Sequence, residues 1–206
     1  MASALARAKL ARAAFALNAD LRLPPLLLMT DEKRLPDPIP AARALPKGAA
    51  IIVRYTDAQT RKSLAQALRR IAHERGLLLL IAADPALASA CGADGLHLPE
   101  RRMREARHWK ALHPSWLITV AAHSEAALGA AARSGADAAL LAPAFATLSH
   151  LERASLGVAR LMLMAARAKL PVYALGGINA GNIARLAGAR LAGVAAIEGL
   201  VPDQSA

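Results

Sequence analysis

The sequence predicts a small (βα)8 TIM barrel, an α/β fold, and three observations point to it. Eight short aliphatic runs recur along the chain, each continuously apolar, as parallel strands buried on both faces are. The stretches between them mostly carry helical periodicity. The connections are short, and no Gly/Ser linker, low-complexity tract or charge run divides the chain. Such barrels take ~200–250 residues, and this chain has 206. An open doubly wound sheet is the alternative arrangement of the same units.

The elements follow in order. Residues 1–22 form an Ala-rich leader carrying Arg7, Lys9 and Arg12. Its charges are spread instead of preceding a continuous apolar centre, so it reads as an accessory helix and not as a secretory signal. The barrel domain is expected over 23–206. Its strands are expected at 26–29, 49–53, 77–81, 95–98, 117–121, 138–142, 172–175 and 193–197. A helix over 58–75 places Leu64, Leu68 and Ile71 on one apolar face. Further helices are expected over 125–133 and, after a Gly-Gly turn, over 179–187. The Pro-rich stretch 36–48 leaves room for a short helix only. Gly-Ala-Asp occurs at 92–94 and again at 135–137, each time between a helix and an apolar run. The glycine suits a left-handed helix stop, so the recurrence marks a repeated helix-to-strand joint. Few residues follow the eighth run. The last helix is therefore expected to be short or missing, with the leader covering the barrel there.

Composition narrows the function. The chain is 55% hydrophobic but only 3% aromatic, so the core must be built from Ala, Leu, Val and Ile. Aliphatic richness with 20% charged residues argues against disorder. No apolar run approaches the ~18–20 residues that span a bilayer, so no membrane partner is expected. A lone cysteine, Cys91, cannot form an internal disulfide, which fits a reducing cytosol and a cytoplasmic protein. The net charge of +11 raises nucleic acid as a partner. The run Arg101 to Lys110 could track a phosphate backbone, with Trp109 for stacking, but it reads more simply as a solvated barrel helix.

In a barrel, ligand groups come from the C-terminal ends of the strands. The strongest local signal is Leu175-Gly176-Gly177-Ile178-Asn179, where two glycines let backbone amides approach an anion. The plainer reading is a turn with Asn179 as N-cap. The longest candidate lid starts at Pro143 and carries Phe145, Thr147, Ser149 and His150. The six histidines show no metal-ligand spacing, and no cysteine cluster accompanies them, so no metal site is read from motifs. His97, inside an apolar run, reads as a hydrogen-bonded core histidine.

Three blocks then carry a resemblance. They are Gly92-Ala93-Asp94-Gly95-Leu96-His97-Leu98, then Gly135-Ala136-Asp137 followed by Pro143-x-Phe145-x-Thr147, and Pro171-Val172-Tyr173-Ala174-Leu175-Gly176-Gly177-Ile178. In this order the chain resembles the thiamine phosphate synthase family and its thiazole tautomerase relatives, from about Pro25 to Leu200. The resemblance implies a (βα)8 barrel that joins a hydroxymethylpyrimidine diphosphate to a thiazole phosphate, with magnesium assisting departure of the diphosphate. It also implies departures. Arg54 matches the family arginine after strand two, but Thr56 stands where the family has lysine. Ala82-Ala83 replaces an Asn-Asp pair that includes a magnesium ligand, and Arg102 replaces a second acidic ligand. Ala121 and Glu198 stand at serine positions, and His150 at a lysine. Pro143 stands where the tautomerases carry a catalytic histidine.

The expectation is a thiamine-pathway protein binding a phosphorylated thiazole or thiamine phosphate. Gly176, Gly177 and Ile197 would hold the phosphate. Arg54, Pro143, Phe145, Thr147, Ser149 and Gly157 would line the substrate site, and the catalytic candidates are Arg54, His123 and His150. No cofactor is expected, with magnesium only if the synthase reaction survives. The alternatives are a non-catalytic binding or regulatory barrel and, below it, a nucleic-acid binder.

Overall fold

The computed structural model describes residues 2–18, 22–146 and 155–202. Eight parallel strands close into a barrel in sequence order, so the sheet has no open edge. They are β1 (Leu26–Met29), β2 (Ala50–Val53), β3 (Leu78–Ala82), β4 (Gly95–Leu98), β5 (Leu117–Ala122), β6 (Ala138–Leu141), β7 (Val172–Leu175) and β8 (Gly193–Ala196). β8 pairs with β1 through Leu26–Val194 and Leu28–Ala196, which excludes the open doubly wound sheet. The strands are buried almost throughout, as their unbroken apolar runs require. Their ends fall within a residue of the expected bounds.

Two strands begin at glycine because no side chain fits there. A Cβ on Gly95 would lie 2.1 Å from the Leu117 carbonyl oxygen, and one on Gly193 would lie 2.0 Å from that of Pro25. The largest fully buried side chain is Tyr173, whose hydroxyl donates to the Pro24 carbonyl at 2.8 Å.

The helices are α1 (Ala4–Leu17), α2 (Ile39–Arg43), α3 (Ala58–Arg75), α4 (Pro85–Ala90), α5 (Ala106–Leu112), α6 (Glu125–Ser134) and α7 (Val158–Arg167). α3 spans the residues its periodicity predicts, capped by the Asp57 carboxylate and stopped by Gly76 in the left-handed region. α1 buries Leu10 and Ala14 and packs against β8, β1 and the short helices that follow β7 and β8. Among the described residues a three-residue 3-10 turn, Glu198–Leu200, follows β8, and α1 covers this side of the barrel.

Two expectations are corrected. The helix expected over 179–187 is a 3-10 turn at Ile183–Leu186, and its N-cap is Asn182, not Asn179. The Asn179 side chain instead accepts the Gly181 amide at 2.8 Å, a local bond that competes with helix. The basic run 101–110 is broken into a 3-10 segment, Glu100–Glu105, and α5. Trp109 donates to Glu105, Lys110 pairs with Asp137, and Arg107 donates to the Arg133 carbonyl.

Candidate functional site

At the ends of β1 and β2, buried Thr30 fixes the backbone of Arg54. Its hydroxyl accepts the Arg54 amide at 2.8 Å and lies 3.4 Å from the Arg54 carbonyl. The Arg54 guanidinium pairs with Asp31, which also accepts Arg34 Nη2 at 2.8 Å. Burial pushes the Asp31 carboxyl up, but the hydrogen bonds from Arg34 and the fields of Arg34 and Arg54 hold it well below the usual carboxylate range. Exposed Glu32 accepts from the amide and hydroxyl of Thr56.

After β3, Ala83 is the one non-glycine residue with left-handed φ, +59°, among the described residues. Its carbonyl accepts Arg102 Nη1 at 2.7 Å. Arg102 also grips the Glu105 carboxylate with Nε and Nη2, at 2.7 and 2.8 Å. That fork holds the Glu105 carboxyl down at about 2. Asp84 caps α4 and pairs with Arg61 at 2.9 Å. In β4, buried His97 meets the Thr119 hydroxyl at 3.0 Å through Nδ1. Burial, and secondarily the field of Arg54, lowers its imidazole to about 4, so it is neutral near pH 7.

His123 follows β5 and is exposed. Its Nδ1 lies 3.0 Å from the Ala142 carbonyl. A carbonyl only accepts, so the proton sits on Nδ1 and Nε2 is left as the acceptor. The Glu100 carboxylate accepts the His123 amide at 2.9 Å. The imidazole is thereby held beside Pro143, reaching it from the neighbouring strand.

After β7, Gly176 and Gly177 have φ of +107° and +65°. A Cβ on Gly177 would lie 2.5 Å from the Ala146 carbonyl oxygen, and one on Gly199 would lie 2.5 Å from that of Ile178. The loops after β6, β7 and β8 therefore meet backbone to backbone. Asn182 Nδ2 donates to the Gly177 carbonyl at 2.7 Å, and Phe145 donates its amide to that of Gly176 at 3.0 Å. Phe145 is 8% exposed, with the Arg185 guanidinium 5.3 Å from its ring centre. Ile197 is buried next to exposed Glu198. Gly157 precedes α7 with open space around it. Thr147, Ser149 and His150 lie outside the described residues.

Sequence reading missed Arg34, Arg61, Asn182 and Arg185. The spacing of Arg102 and Glu105, three apart, carried a signal that could have been read. Nothing local announces Arg61, because its partner Asp84 is 23 residues away. Two surface clefts, of about 320 and 370 Å3, lie elsewhere, around Lys169 and the flanks of α7.

A family model described as thiamine monophosphate synthase matches residues 27–200. The chain belongs to this family. It is 36% identical over 147 residues to a putative thiamine-phosphate synthase of Geobacter sulfurreducens, covering 71% of this chain and 69% of that one. It is 34% identical over 167 residues to a thiamine-phosphate synthase of Methanoculleus marisnigri, covering 79% of each. A thiamine phosphate pyrophosphorylase structure from Pyrococcus furiosus superimposes with a TM-score of 0.72 at 26% identity, over 89% of this chain and 87% of the other.

The donor set of this thiamine monophosphate synthase family member does not fit magnesium at the ends of β3 and β4. That ion needs an octahedron of free oxygens. Here guanidinium groups hold the Ala83 carbonyl, the Glu105 carboxylate and Asp84 Oδ2, and Asp84 Oδ1 accepts the Leu87 amide. No three His, Cys, Asp or Glu residues group to hold a metal among the described residues.

Proposed function

We propose that this chain serves thiamine biosynthesis in the cytoplasm by binding a phosphorylated thiazole or thiamine phosphate at Gly176, Gly177 and Ile197. The backbone-to-backbone meeting of the loops after β6, β7 and β8 carries this reading. The two left-handed glycines after β7 carry no side chain over the turn, and main-chain amides of such a turn suit a phosphate. Arg54, Pro143, Phe145 and Gly157 line the same mouth in this reading, together with Thr147, Ser149 and His150. Arg54 would attract the anionic end, and its pairing with Asp31 must open for it to do so. His123, with Nε2 as acceptor, is the candidate for taking a proton, beside His150 and Arg54.

The joining of a pyrimidine diphosphate to a thiazole phosphate is slow or lost in this reading. Each charge-assisted contact removed from the site costs ~1.5–3 kcal/mol, and lysine is replaced at Thr56 and carboxylates at Ala83 and Arg102. A non-catalytic binding or regulatory barrel is the second reading, favoured by exposed Glu198 at the phosphate turn.

The test combines purified protein with both synthase substrates and magnesium. No thiamine phosphate should form at a turnover on the order of 1 s−1, and formation at such a rate overturns the loss. Thiamine phosphate at ~100 times its Kd should stabilise the fold by ~2.7 kcal/mol. Glu198→Ser should increase that shift and Gly177→Asp should abolish it. Shifts unchanged in both variants reject the assignment to this turn.

A further inference from the structure

We infer that the Arg102 guanidinium is a built-in cation standing where a divalent ion would gather oxygens between the ends of β3 and β4, so that this chain holds its anionic ligand without a divalent metal. A hard divalent cation collects oxygens from separate elements and cross-links them. Two such oxygens sources converge here, the Ala83 carbonyl after β3 and the Glu105 carboxylate after β4. Arg102 joins them, with contacts of 2.7, 2.7 and 2.8 Å.

The arrangement is fixed from both sides. Ala83 adopts a left-handed φ of +59°, and its amide donates to the His97 carbonyl at 2.9 Å. Glu105 also accepts Trp109 Nε1 at 3.2 Å. Arginine keeps its charge at any ordinary pH and its planar fork matches a carboxylate. A metal would therefore have to displace a permanent cation.

Four further carboxylates near the ends of β1 to β4 are committed too, whereas Glu198 after β8 is exposed. Asp31 is held by Arg34 and Arg54, Asp84 by Arg61, Glu32 by Thr56 and Glu100 by the His123 amide. An arginine has five N–H donors, and three of those on Arg102 are used. The rest are left for an anion, a role that rests on the phosphate-ligand reading above.

Titration with Mn2+, followed by electron paramagnetic resonance, tests the metal half without any ligand. The wild-type protein should bind no Mn2+ more tightly than ~1 mM. Arg102→Asp frees two oxygen sources and adds a third, and should bind Mn2+ at least about tenfold more tightly. Tight binding by the wild type, or no gain in a folded Arg102→Asp variant, overturns the inference. If that variant fails to fold, Arg102→Ala, which also frees both oxygen sources, takes its place with the same criterion. In the second arm, the thermal shift given by thiamine phosphate is compared in EDTA and in MgCl2. Equal shifts are expected, and an affinity gain of about tenfold with magnesium overturns the inference. Absence of any shift in either buffer counts against the phosphate-ligand reading alone, and the Mn2+ arm then decides.

Discussion

His97 illustrates what one buried side chain does to the whole stability curve. Its imidazole titrates near 4 in the folded chain, against 6.5 for the free side chain. Between these values the unfolded chain takes up a proton that the folded chain refuses, so stability falls as pH falls. Above pH 6.5 both states are neutral and the contribution is complete. The full loss is roughly 3 kcal/mol at ~1.4 kcal/mol per pH unit. His97→Gln should remove this slope between pH 6.5 and 4, read by urea unfolding at several pH values. The carboxylates held down by arginine, Asp31 and Glu105, act at lower pH and remain in the variant. An identical slope in variant and wild type would assign the acid loss to groups other than His97.

At the scale of elements, the two Gly-Ala-Asp joints are one device used twice. Gly92 and Gly135 both turn in the left-handed region after α4 and α6. The aspartate after each then clasps the preceding strand. Asp94 accepts the Leu79 amide at 2.8 Å and Arg69 Nη1 at 2.7 Å. Asp137 accepts the Ile118 amide at 2.7 Å and Lys110 Nζ at 3.0 Å. In both, the aspartate amide returns a bond of 2.8 Å to the carbonyl of the same strand residue. Leu79 and Ile118 are fully buried, so truncating either aspartate strands an amide, at ~1–3 kcal/mol. Asp94→Ala and Asp137→Ala should each cost that much in chemical denaturation. The joints share no partner, so the double variant should show the sum within ~0.5 kcal/mol. Losses well below the sum would mean that the two joints are coupled.

For the whole molecule, α1 serves as a covering helix of the barrel. It lies over the seam of β8 and β1, and its ends join the rest of the chain. The Ala2 amide donates to the Val201 carbonyl at 2.8 Å, and Asn18 Nδ2 donates to that of Leu23 at 3.0 Å. Leu10 is fully buried, whereas Leu5 on the same helix is 81% exposed. Leu10→Ala should therefore destabilise the barrel by ~2–5 kcal/mol. Leu5→Ala should stay within ~0.5 kcal/mol. Equal and small effects in thermal unfolding would remove α1 from the folded core. Among the described residues no helix is long and apolar enough to cross a membrane.

Much of this was legible in the chain itself. Eight continuous apolar runs determine eight buried parallel strands, because only strands covered on both faces lose their polar alternation. The Gly-Ala-Asp repeat and the Gly-Gly turn announce their joints, because few residues tolerate left-handed backbone or such close approach. Local pattern was misleading at 179–187, where Asn and Gly side-chain and backbone preferences form turns instead of a helix. What only the tertiary structure decided is which charges meet. Arg54 faces Asp31, Arg61 reaches Asp84 across 23 positions, and His123 leans from β5 toward Pro143. Sequence separation carries no information about such pairs, since barrel closure alone brings the strand ends to one rim. The same closure sets the Arg102 guanidinium between Ala83 and Glu105, and with it the place of a cation at this mouth.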